Sequence, residues 1–116
     1  MIVKWKIPKL REDEKLEWMT PADFLSKVPH PCTTRFSALV GARASIKRME
    51  RGKESVCWDI GSYNYIKSRI LNGEPIDALR LDYKRMWYGW PTHEGRHRAL
   101  VCLALDVDKV PVVVRE

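Results

Sequence analysis

The feature that most constrains how this 116-residue chain can fold is the stretch His93-Glu94-Gly95-Arg96-His97-Arg98-Ala99. An aromatic run, Met86-Trp87-Tyr88-Gly89-Trp90, leads into it, and Pro91 stands just before it. Gly95 predicts a tight turn. The residues after it, from Arg96 past Cys102, carry a helical pattern whose first turn is basic. Beyond that helix, Val110-Pro111-Val112-Val113-Val114 reads as a strand. Strand, glycine turn, basic helix start and strand together predict an anion site, most directly one for phosphate. The first N–H groups of a helix lack intrahelical partners, and the positive end of the helix dipole attracts negative charge.

Roles follow from the side chains. Gly95, Arg96, His97 and Arg98 would cradle the phosphate, with Arg98 offering a bidentate fork and His97 a further donor. Glu94, just ahead of the turn, can hold a divalent metal or act as a base, so Glu94 and His97 are the catalytic candidates. Read literally, His93-Glu94-Gly95-Arg96-His97 also matches H-E-x-x-H, a zinc peptidase signature with both histidines as ligands and Glu94 as base. That signature needs one continuous helix through both histidines. Pro91 before it and Gly95 inside it suit a turn instead, and Arg96 and Arg98 would set positive charge beside the metal. Only His30 remains as a further histidine, and no zinc is expected. The plainest alternative is a structural turn in which Glu94 pairs with an arginine.

The remaining chain predicts a small α+β domain. Val3, Trp5 and Ile7 alternate as in a short strand ending at Pro8, and Lys9 to Glu17 reads as a charged loop. Thr20-Pro21-Ala22-Asp23 is a helix start: a capping hydroxyl, proline at the first helical position and an acid at the third. Phe24, Leu25 and Val28 supply its apolar face, and Pro29 and Pro31 end it. A helix is predicted over residues 36–51, with Phe36, Leu39, Ile46 and Met49 on one face. Another begins at Gly61-Ser62, capped by Ser62, carries Tyr63, Ile66 and Ile70, and stops at Asn72-Gly73. Ile76 to Tyr83 reads as a strand, Lys84-Arg85 as a hairpin connection and Met86 to Trp90 as the returning strand. Its rings are expected to pack in the core, base stacking being the alternative use.

At 45% apolar and 31% charged residues, the chain has the composition of one globular domain, residues 1–116. The net charge of +6 favours phosphorylated or polyanionic partners. Basic residues crowd residues 30–61, where Arg43, Lys47, Arg48 and Arg51 are candidate contacts to a nucleic-acid backbone or a solvated helix face. Cys32, Cys57 and Cys102 are far apart, which argues against a disulfide framework and for a reduced, cytoplasmic setting, with Cys102 a buried inert thiol. No run approaches membrane-spanning length, and no membrane partner is expected.

Gly95-Arg96-His97-Arg98, preceded by the Pro75-Ile76 strand and followed by a helix and Val110-Pro111-Val112, resembles the ParB/sulfiredoxin superfamily. It is most similar to small phage- and plasmid-type ParB-like members, which carry G-x-H-R after an acidic residue. The resemblance covers about residues 62–115, and Met19 to Leu25 is similar to the opening of those members. It implies a single ParB/sulfiredoxin-like domain, a small mixed sheet packed with helices, that binds a nucleotide (ATP or CTP, with Mg2+) or nucleic acid at the glycine turn. Family members include nucleases and a phosphotransferase acting on serine, so nuclease, phosphotransferase or NTPase activity is what the resemblance allows. Sulfiredoxins have their catalytic cysteine after the glycine; here that position is Arg96, so sulfiredoxin chemistry is not expected. In partitioning ParB proteins the turn is G-E-R-R, which Gly95 and Arg98 match and Arg96 and His97 do not. The rival expectation is a non-catalytic DNA-binding or regulatory module of a mobile element, and a zinc peptidase is the distant third.

Overall fold

The computed structural model describes residues 1–28 and 38–116. In chain order its elements are β1 (Trp5–Lys6), β2 (Glu14–Met19), α1 (Pro21–Ser26), α2 (Ala38–Glu50), α3 (Ile60–Leu71), β3 (Ile76–Asp77), β4 (Leu79–Trp87), β5 (Trp90–Glu94), α4 (Arg96–Ala104) and β6 (Val110–Arg115). The domain is mixed α+β, as expected. Four strands form the main sheet in the order β2-β6-β4-β5. Strand β6 is antiparallel to β2 and parallel to β4, and β4 and β5 form an antiparallel hairpin. Strands β1 and β3 pair in parallel as a separate two-stranded sheet.

Two elements explain the rest. Val110 to Val114 are all buried, because β6 has a neighbour on each edge and cover on each face, and such a strand reads as continuously apolar. Helix α4 buries Ala99, Leu100, Val101, Cys102 and Leu103 in succession, more than one face of a helix can hold, so it is enclosed. It packs against α1, α2, α3 and β4. Phe24 and Leu25 of α1, Tyr63 and Ile70 of α3, and Leu79 and Leu81 of β4 complete one core with it. The turn that starts α4 is thereby anchored to the most deeply buried helix of the domain.

Several local expectations hold. The Thr20 hydroxyl accepts from the Asp23 N–H at 3.1 Å, with Pro21 opening α1. Of the face expected for α2, Met49 is buried and Ile46 half-buried, with Ala42 and Ser45 buried as well, while Arg43, Lys47 and Arg48 are exposed. Pro29, Pro31, Cys32, Phe36 and the side chain of Leu39 lie outside the described residues.

Others need correction. Residues 14–17 are strand and not loop: β2 pairs with β6 from Glu14↔Arg115 to Met19↔Val110. The charges that hid its alternation are what an edge strand carries. The cap of α3 is Asp59, whose carboxylate accepts from the Ser62 N–H at 3.0 Å and the Ser62 hydroxyl at 2.6 Å. The hairpin connection is Tyr88-Gly89, not Lys84-Arg85, and the returning strand is Trp90–Glu94. Both turn residues have positive φ, 49° and 81°, as two-residue hairpins require, and Gly89 supplies that conformation where Lys84-Arg85 has no such preference. Met86, Trp87 and Tyr88 are exposed at the hairpin tip and take no part in the core. Cys57 is disulfide-bonded, against the expectation that the cysteines stay unpaired. Cys102 is a buried free thiol, as expected, with burial pushing its pKa up to about 12. Among the described residues no helix is long and apolar enough to cross a membrane.

Candidate functional site

Strand β5 ends at Glu94, Gly95 turns the chain, and α4 begins at Arg96. Gly95 has φ 107° and ψ 20°, and a Cβ added to it would stand 2.7 Å from Leu79 Cγ and 3.2 Å from Arg98 Nη2. Dihedral and space both demand glycine here. Gly95 has no side chain with which to cap α4, whereas Thr20 and Asp59 cap α1 and α3. Among the described residues no side chain accepts from the N–H groups of its first turn. The turn also divides H-E-x-x-H between two elements: His93 sits on β5 opposite Leu81, and His97 sits in α4. The two histidines do not share a helix as the peptidase motif requires. Among the described residues no group of three or more His, Cys, Asp and Glu side chains is arranged to hold a metal ion.

The four residues of the turn point to different tasks. Arg98 Nη1 donates to the carbonyls of Asp77 at 2.6 Å and Ala78 at 3.1 Å, and Nη2 lies 3.4 Å from Glu94 Oε1. Its side chain is only 13% exposed. The guanidinium thus ties the start of α4 to the junction of β3 and β4. Glu94 is exposed and lines a cleft of about 260 Å³ with Lys6, Asp77 and Arg80.

Arg96 and His97 face elsewhere. They line a cleft of about 400 Å³ together with Glu54, Ser55, Trp58 and Asp59. The Arg96 guanidinium lies 4.2 Å from the centroid of the Trp58 ring, a cation–π contact, and its Nη2 donates to the Cys57 carbonyl at 2.8 Å. Arg96 Nη1 is buried and has no hydrogen-bond partner among the described residues. The His97 ring meets Trp58 edge-on, with centroids 5.1 Å apart. His97 Nε2 accepts from the Asp59 N–H at 2.9 Å, so the neutral ring carries its proton on Nδ1. Burial, reinforced by the Arg96 charge, lowers the pKa of His97 and of His93. Asp59 is held below the usual carboxylate range, chiefly by its bond from the Ser62 hydroxyl.

The structure therefore brings Arg96 and His97 together, sets Glu94 in a separate cleft, and spends Arg98 on backbone carbonyls between them. Along α2 and the residue after it, Arg43, Lys47 and Arg51 recur every four residues and are exposed, with Arg48 beside them donating through Nε to the Glu54 carbonyl at 3.1 Å. Trp58 and Asp59 belong to the site although no motif marks them. The capping spacing Asp59-x-x-Ser62 is visible in the sequence. The stacking of Trp58 on Arg96, 38 positions away, is not. No family model, no curated protein and no solved structure matches this chain.

Proposed function

We propose that this domain binds the phosphate of a nucleotide or nucleic acid at the first turn of α4. The observation that carries the reading is the Gly95 turn. It leaves α4 without a side-chain cap and directs Arg96 and His97 into a cleft walled by Trp58. A phosphate there would meet the N–H groups of the first turn, the helix dipole and the charge of Arg96. The Trp58 ring and the Cys57 carbonyl hold that charge in place, and Arg98 positions the turn. The ParB/sulfiredoxin resemblance of Gly95-Arg96-His97-Arg98 points to the same ligand chemistry. The proposal is one of binding: Glu94 and His97 line different clefts, and no acid–base pair is derived from them.

The test is thermal stabilisation by ATP, CTP, ADP and pyrophosphate, with and without Mg2+. A bound ligand at a hundred times its Kd stabilises by about 2.7 kcal/mol, an easily read rise in Tm. Arg96→Ala and His97→Ala should abolish the rise. Absence of a rise with every one of these ligands at millimolar concentration would sink the reading.

A second reading has its own observation, the exposed basic stripe of α2. In it the domain is a non-catalytic DNA-binding module, and α2 lies along the phosphate backbone. Duplex DNA binding would then fall steeply with salt. It would be lost on joint neutralisation of Arg43, Lys47 and Arg51 and be indifferent to Arg96→Ala.

A further inference from the structure

The tip of the β4–β5 hairpin is built against the interests of folding. Met86, Trp87 and Tyr88 are 52%, 59% and 85% exposed, so three large apolar side chains in a row gain little burial. Tyr88 also occupies a left-handed position, φ 49°, which asparagine or glycine would take at lower cost. The Trp87 and Tyr88 rings are held edge-to-face, with centroids 4.7 Å apart at 83°. Residues 83–93 contain no Asp or Glu; Lys84 is turned back to Asp13, 3.1 Å away, and Arg85, two positions before Trp87 on the strand, is the exposed cation nearest the rings in sequence.

We propose that this tip binds single-stranded nucleic acid, with bases stacked on Trp87 and Tyr88 and the backbone met by Arg85. Ring faces accept any unpaired base, and neighbouring cations follow the phosphates. A net charge of +6 favours the same partner. A duplex keeps its bases stacked inside and offers the rings nothing. A second copy of this chain fits poorly, because the three side chains expose roughly 400 Å² in all, taking about 150–250 Å² for each aromatic. A stable interface needs about 800 Å² per partner. Two such tips would also meet with like charge. The inference rests on the hairpin alone and does not require the phosphate site at α4.

Fluorescence anisotropy with labelled oligo(dT) and oligo(rU) of about twelve nucleotides, and with a duplex of the same length, tests it on the full chain. Single strands should bind at least tenfold more tightly than duplex at about 50 mM salt and weaken toward 200 mM. Trp87→Ala and Tyr88→Ala should each reduce binding by about tenfold or more with Tm unchanged, and Trp87→Phe should keep most of it. Binding of either single strand in this pattern supports the proposal, and the tighter of the two names the strand. Wild-type affinity in the Trp87→Ala, Tyr88→Ala double variant overturns it. So does equal affinity for duplex, which would point to α2, or a concentration-dependent dimer that Trp87→Ala abolishes.

Discussion

Replacing Gly95 by alanine separates two costs that meet at the turn. The first is backbone strain: a residue with a Cβ at φ 107° is disfavoured by roughly 1–2 kcal/mol. The second is steric, because the new methyl would lie 2.7 Å from Leu79 Cγ, and Leu79 is fully buried among the core residues of β4. Forcing a methyl into packed surroundings costs about 1–3 kcal/mol. Together they predict a loss of roughly 2–5 kcal/mol. For a domain of this size, at about 4 °C per kcal/mol, that is a fall in Tm of roughly 8–20 °C. Gly52→Ala is the control, since Gly52 has φ +73° and a methyl there would meet nothing within 4 Å. It should show the strain alone, a fall of roughly 4–8 °C. Calorimetry of both variants reads the difference directly. If Gly95→Ala falls no further than Gly52→Ala, close packing against Leu79 is not what reserves this position for glycine.

The remaining predictions concern burial and charge. His93 and His97 have pKa values lowered by burial, so the unfolded chain takes up protons on them before the folded one does. Stability should be full above about pH 6.5, the unfolded value, and decline as pH falls through the lower folded values. A His93→Gln, His97→Gln variant that keeps the same decline in urea midpoints would contradict this. Tyr63→Phe removes a 2.6 Å hydrogen bond to Glu50, which keeps Lys67 at 2.7 Å. Because Glu50 can rehydrate, we predict a loss of about 1 kcal/mol, and a cost above about 3 kcal/mol would show that the Tyr63–Glu50 bond does more than join α2 to α3. Cys102, buried and with its pKa pushed up to about 12, should resist alkylation at pH 8 until the protein unfolds. Labelling of the native protein by mass spectrometry would refute its enclosure.

The sequence by itself determined the elements whose signals are local. Thr20-Pro21-Ala22-Asp23 specified a helix start, because a cap and its donor lie within one turn. Gly95 between an apolar run and a basic helical pattern specified the turn, and the structure places it between Glu94 and Arg96. The unbroken Val110–Val114 run specified a strand. Tertiary structure decided what no window of neighbours can hold. Strand β2 exists because β6 offers it an edge, and its own charged residues concealed it. The hairpin turn moved to Tyr88-Gly89 because pairing of Trp87 with Trp90 and Met86 with Pro91 fixes where two positive φ angles must fall. Above all, the basic residues of the central turn all read as phosphate ligands in the string, with Arg98 the foremost. Packing assigns Arg98 to the carbonyls of Asp77 and Ala78 and gives Arg96 and His97 to the Trp58 cleft. Which way a side chain on a helix's first turn points depends on what lies across from it. That neighbour came from residues 57–59 and 77–78, far along the chain.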